Sequence, residues 1–207
     1  MNTRTRTLSP SSVDRDGICT AQTIAEAGGL TLDGALVSSS AVTPGVPCHV
    51  SIYSGGNLSG VTFTITGTDW YNDALTEDVT GPNTTTVYST YNFKTITAVA
   101  ADGAVGTNVE VGVAGSFETA WFPIEFRYGQ THNRVKLYDT PSMTVEVQYV
   151  EENPFGSSFN DYTCDYRGTG TFGVSSTVSV PVTARAVRLQ VTSFTSGDID
   201  WTVFCQG

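Results

Sequence analysis

Nucleophilic catalysis needs a serine, threonine or cysteine within hydrogen-bond reach of a base, and the chain holds only two histidines, His49 and His132. Cys48 and His49 are adjacent. On a strand, neighbouring side chains point to opposite faces, so this pair cannot share a proton without a bulge. His132 lies in the polar, turn-like stretch Gly129-Gln130-Thr131-His132-Asn133-Arg134 and reads as a solvated loop residue. No catalytic triad emerges. Acid–base hydrolysis asks instead for two carboxylates roughly 5–10 Å apart across a cleft. Glu151-Glu152 and Asp198 with Asp200 are the nearest pairs, yet both sit in or beside predicted turns and read as surface solubility. Glu125 and Glu146 fall in regular strands with no partner in view.

Binding motifs fare no better. Gly168, Gly170 and Gly173 match the G-x-G-x-x-G fingerprint, whose glycines bring backbone close to pyrophosphate at a helix N-terminus. The β-branched run from Val174 to Val180, followed by Pro181, leaves no helix to hold a phosphate. Asp14-x-Asp16-Gly17 resembles the opening of a calcium loop, but the later oxygen ligands do not follow at the required spacing. Cys19, Cys48, Cys164 and Cys205 are widely spaced with no C-x-x-C, which gives structural zinc no support. Pairing Cys19 with Cys48 and Cys164 with Cys205 would keep each bridge within one half of the chain; in a reducing compartment buried thiols are the better reading. No cofactor is called for. The sequons at Asn57 and Asn83 are discounted, because no signal sequence would bring them to a transferase.

Charge narrows the partners. With 20 acidic against 10 basic residues the net charge is −10 and the pI near 4.4, so phosphate backbones and anionic lipid are repelled. Neither nucleic acid nor a membrane surface is an expected partner. The amino end is basic but carries no apolar run behind it, and no segment approaches the ~20 apolar residues of a membrane span. Synthesis in a host cytoplasm without a signal peptide is the expectation.

The elements that must position any site are strands. Thirty-two threonines and 21 glycines, with only two lysines, favour strands and tight turns over helices. Val61, Phe63 and Ile65 alternate with Thr62, Thr64 and Thr66, which puts apolar side chains on one face and hydroxyls on the other. The same period of two recurs through Val109–Val113, Met143–Tyr149, Val187–Val191 and Ile199–Val203. Turn residues bound each run, and Ser196-Gly197-Asp198 reads as a hairpin joining the last two. The expected fold is an all-β, antiparallel β-sandwich or jelly roll. Residues 1–17 read as an arm ordered only against a neighbour, 18–115 as a first sandwich and 116–207 as a second, with a long loop over 151–173. Thr23 to Ala27, stopped by Gly28-Gly29, is too short for a stable helix and reads as a turn.

Aromatic residues are the remaining candidates for contact. Trp70 and Tyr71 follow a strand end, Trp121 and Phe122 form a cluster, and Phe155, Phe159 and Tyr162 fall in the long loop. Such side chains could form a platform for stacking sugars, but most should instead be core or interface, with at least one of Trp70 and Tyr71 facing outward.

Two stretches carry a resemblance. Ser54-Gly55-Gly56-Asn57-Leu58-Ser59-Gly60-Val61-Thr62-Phe63-Thr64-Ile65-Thr66-Gly67-Thr68-Asp69, continued by Ala74 to Asn83 and Phe93 to Val99, resembles structural proteins of tailed-bacteriophage particles. The end of the chain, Ala186 to Val203, is similar to the closing hairpin of phage head or tail accessory proteins. Where that pattern carries a glycine turn, this chain has Trp70-Tyr71-Asn72-Asp73. The resemblance implies a non-enzymatic virion protein, a capsid decoration or cement subunit working through subunit–subunit contacts. It would bind copies of itself and the major capsid or neighbouring virion proteins. Its alternatives are a tail, collar or head-fibre component, or a carbohydrate-binding module for a host surface glycan.

Overall fold

The computed structural model describes residues 2–124, 132–138, 143–154, 167–172, 177–195 and 197–206. Threonine alternating with valine, isoleucine and phenylalanine builds strands throughout, because branched and aromatic side chains pack well on a pleated surface. Among the described residues there is no helix. The chain divides into two compact units, one of Pro10–Phe117 and one that joins Met1–Ser9 to Glu118–Gly207.

Strand β1 (Asn2–Leu8) precedes the first of these. In Pro10–Phe117 follow β2 (Asp14–Ile24), β3 (Gly28–Gly29), β4 (Val37–Ser38), β5 (Ala41–Val42), β6 (Val50–Ser54), β7 (Thr62–Thr68), β8 (Ala74–Thr80), β9 (Thr86–Tyr88), β10 (Thr95–Ala101) and β11 (Val105–Val113). They form two antiparallel sheets, ordered β2-β11-β6-β9 and β4-β5-β10-β7-β8, with β3 also on β10. Alternation settles which face is dry. Phe63 and Ile65 of β7 and Val109 and Val111 of β11 are fully buried, while Thr62, Thr64 and Thr66 keep partial contact with water. Gly67 permits a close approach at the register shift of β10, where a Cβ would overlap the Thr95 carbonyl oxygen. The edge of β2 is tied down by Asp33, which accepts hydrogen bonds from the Thr20 N–H at 2.8 Å and its hydroxyl at 2.9 Å. Those bonds, the backbone one first, hold the Asp33 carboxyl below its ordinary range.

The second unit contains β12 (Phe117–Glu118), β13 (Phe122–Pro123), β14 (His132–Tyr138), β15 (Met143–Val150), β16 (Arg167–Phe172), β17 (Thr177–Val180), β18 (Ala186–Phe194) and β19 (Ile199–Gln206). Its sheets run β1-β19-β14-β17 and β12-β18-β15-β16, with β13 also on β18. Val135, Leu137, Val145, Val147, Val187, Leu189 and Ile199 are fully buried. Each unit therefore offers sheets with one apolar face withdrawn from water, the division that a β-sandwich requires.

Three expectations change. Residues 1–17 do not form one arm: Asn2–Leu8 pair antiparallel with β19 from Asn2↔Cys205 to Leu8↔Ile199, and Asp14 already begins β2. The reason is an open ladder edge on β19, whose backbone groups gain partners from any strand brought alongside. Ser196-Gly197-Asp198 is not a hairpin either, since β18 pairs with β15 and β19 with β14. Gly197, at φ 108°, turns the chain from one sheet to the other. Finally, the loop expected over 151–173 contains a strand: Arg167–Phe172 pair with β15, a segment whose Gly-Thr alternation has no apolar signal. Thr23 and Ile24 end β2, and residues 25–27 bend toward β3.

Candidate functional site

The β7–β8 hairpin carries an exposed aromatic tip. Asp69 organises it: its Oδ1 accepts from the Tyr71 N–H at 2.8 Å and the Asp73 N–H at 2.9 Å, while its own N–H donates to the Asp73 carbonyl at 3.0 Å. Asn72 takes φ 69°, the left-handed conformation that a glycine turn would supply, and asparagine tolerates it at small cost. Lys94 Nζ donates to Asn72 Oδ1 at 2.6 Å and braces the turn from β10's approach. Asn72 therefore replaces the missing glycine. The outcome is a hydrogen-bonded tip with Tyr71 49% exposed and Trp70 half-buried.

Trp121 and Phe122 lie in the core and form no surface platform. Each is only 4% exposed. Phe122 meets Trp201 edge-on with ring centroids 5.5 Å apart, and two arginines of β1 cover it, with Arg6 Cζ 4.7 Å and Arg4 Cζ 5.9 Å from the ring centroid. Arg4, Arg6 and Leu8 share one face of β1 by the period of two, and register places Arg6 opposite Trp201. On the other face Thr5 and Thr202 hydroxyls stand 2.8 Å apart, and Thr7 donates to Asp200. Phe122 and Trp201 seat the first strand, and burial removes the faces of Trp121 and Phe122 from any sugar. Phe155, Phe159 and Tyr162 lie outside the described residues.

A polar ladder crosses β12, β18 and β15. Arg188 Nε donates to Gln148 Oε1 at 2.7 Å; Gln148 Nε2 donates to Gln190 Oε1 at 2.6 Å and to Glu146 Oε2 at 3.0 Å; Gln190 Nε2 donates to Glu118 Oε1 at 3.1 Å. Arg188 also lies over the Trp121 ring, 4.6 Å from its centroid. Gln148 is fully buried and Arg188 is 7% exposed. Alternation alone makes these polar residues a wet face, and it missed the ladder because cross-strand bonds between side chains 40 or more positions apart leave no local signal. Glu146, considered as a hydrolytic acid, is a member of this ladder.

Several of the other chemical candidates make contacts within the fold. Cys48 exchanges backbone hydrogen bonds with Phe93, and burial pushes its thiol up to about 12. Its neighbour His49 donates Nδ1–H to the Ser89 carbonyl at 2.8 Å. Cys19 is a second buried free thiol, raised to about 12 by burial and then by the Asp33 charge. Cys19 and Cys48 are thus not bridged, and the side chains of Cys164, Cys205, His132 and Glu125 lie outside the described residues. Asp14, Asp16 and Gly17 are in strand β2, and Gly168 and Gly170 are in strand β16. Glu151 accepts from the Thr183 hydroxyl at 2.6 Å. Among the described residues no three His, Cys, Asp or Glu side chains gather as a metal site would require. No family model matches the chain, and a search of curated proteins finds no significant relative.

Proposed function

We propose that the chain is a non-enzymatic structural protein of a tailed-bacteriophage particle, a decoration or cement subunit clamping neighbouring shell subunits through its β surfaces. The observation that carries this reading is how the polar groups are used. His49 bonds the Ser89 carbonyl, Asp33 anchors the edge strand β2 through Thr20, and Arg188 links β18 to β15 through Gln148, while Tyr71 in the β7–β8 turn and Tyr88 on β9 stand outward. Such a surface suits adhesion better than turnover. If each contact buries the ~1,200–2,000 Å² of a specific interface, repetition over a lattice resists internal pressure without any single strong bond. The partners are copies of the chain and the major capsid or neighbouring virion proteins. A charge of −10 favours the outside of the shell over contact with packaged genome. Particles lacking the protein should lose resistance to heat and osmotic shock; equal resistance overturns the cement role. A tail, collar or head-fibre position keeps the same chemistry at another place on the particle.

The exposed hairpin tip favours one second reading, recognition of a host surface glycan through Trp70 and Tyr71. A glycan array should then show binding that Trp70→Ala abolishes. The absence of such binding removes this reading.

A further inference from the structure

Residues 2–8 are the stretch that belongs with Glu118–Gly207 without being continuous with it in sequence; residues 9–13 then lead into β2 of the other unit. The seat for this strand is complete before it arrives. β19 is held along its other side by β14 from His132↔Gln206 to Tyr138↔Asp200, and Phe122 already packs on Trp201. What β1 adds is a backbone ladder, the Thr5–Thr202 and Thr7–Asp200 bonds, and two arginines over one aromatic ring. Each of those contacts is made to residues of 118–207.

We propose that β1 is an exchangeable strand, which at high local concentration leaves its own β19 and seats in the same register on the β19 of a second copy. The bonds formed equal the bonds broken, so the balance follows from concentration: the chain's own strand competes at the effective molarity set by its connection, about millimolar for short flexible links. Pro10 stiffens that connection, and five residues reach at most about 18 Å when extended. Any strand could pair with the β19 backbone, but the side chains of the seat match this segment, which makes a second copy the occupant. Phe122 receives Arg4 and Arg6, and Thr202 and Asp200 meet Thr5 and Thr7. Only this segment brings both arginines together with Thr5 and Thr7 in register. Its two cations also suit an otherwise acidic chain of net charge −10. The exchange concerns the protein by itself and stands whether or not the particle role holds.

Thr5 and Thr202 lie directly opposite, so they can report the exchange. Thr5→Cys protein and Thr202→Cys protein are mixed at about 1 mM, the range in which exchange competes, and mildly oxidised. Wild-type protein, each variant alone and the dilute double variant Thr5→Cys/Thr202→Cys are run beside them. Exchange predicts a covalent dimer in the mixture that neither variant forms alone, joined through positions 5 and 202 by peptide mapping and lost when Arg4→Glu and Arg6→Glu are added to the donor. The double variant closes its link within one chain when dilute, which shows that the pair is within reach. Absence of the mixed dimer, or equal dimer in a single-variant sample, overturns the proposal.

Discussion

The guanidinium carbon of Arg6 stands 4.7 Å from the centroid of the Phe122 ring, and Phe122 in turn meets Trp201, the residue that Arg6 faces across β1 and β19. A strand with one apolar residue, Leu8, is thereby fixed through its charges. Removing Arg6 should loosen β1 while leaving β14 and β19 in place. We expect Arg6→Ala to cost about 0.5–1 kcal/mol, the value of an exposed cation–π contact, and to speed amide exchange in residues 2–8. Amide exchange equal to wild type would show that the backbone ladder alone holds the strand.

At the hairpin tip the backbone at Asn72 demands a positive φ. Asn72→Gly should leave stability near wild type, whereas Asn72→Val should cost about 1–2 kcal/mol, the penalty for a side chain in the left-handed region. Urea unfolding separates the two. Tyr71→Ala, by contrast, should leave stability within about 0.5 kcal/mol, as surface changes do.

The Gln148 ladder predicts non-additivity. Gln148→Ala leaves the buried Arg188 without its Nε acceptor and should cost about 2–4 kcal/mol. The double change Gln148→Leu/Arg188→Leu should cost less than the sum of its singles, because neither partner is left stranded. Additive losses in denaturant unfolding would mean the two side chains act separately.

The buried thiols give an alkaline limit. Burial raises both Cys19 and Cys48 to about 12, against roughly 8.5 for a thiol in an unfolded chain. The folded state therefore keeps protons that the unfolded state releases, so this stabilisation is whole below about pH 8.5 and is lost as pH rises toward 12. Folded protein at pH 8 should resist alkylation at both positions and react at both in urea. The alkaline fall in stability should be shallower in Cys19→Ala/Cys48→Ala protein than in wild type.

Much of this fold was legible in the sequence. The runs at Val61–Ile65, Val109–Val113, Met143–Tyr149, Val187–Val191 and Ile199–Val203 all lie within or overlap strands, because period-two burial is a local property of a pleated chain. Pairing is not local. Nothing around Ser196-Gly197-Asp198 states that β18 and β19 enter different sheets, and nothing in Asn2–Leu8 names a partner almost two hundred residues away. The candidate site was legible only at Trp70 and Tyr71, where turn residues announce exposure. Trp121 and Phe122 read as core or interface, but the arginines that cover them, Arg4, Arg6 and Arg188, reach them from distant strands and leave no local signal.

We propose that this protein acts by lodging its sheets against other subunits of a phage particle, and averaged electron microscopy of purified particles is the decisive measurement. Density matching these two units, repeated at junctions between shell subunits, is expected. Particles devoid of such density, with the chain recovered as a free monomer, would overturn the proposal.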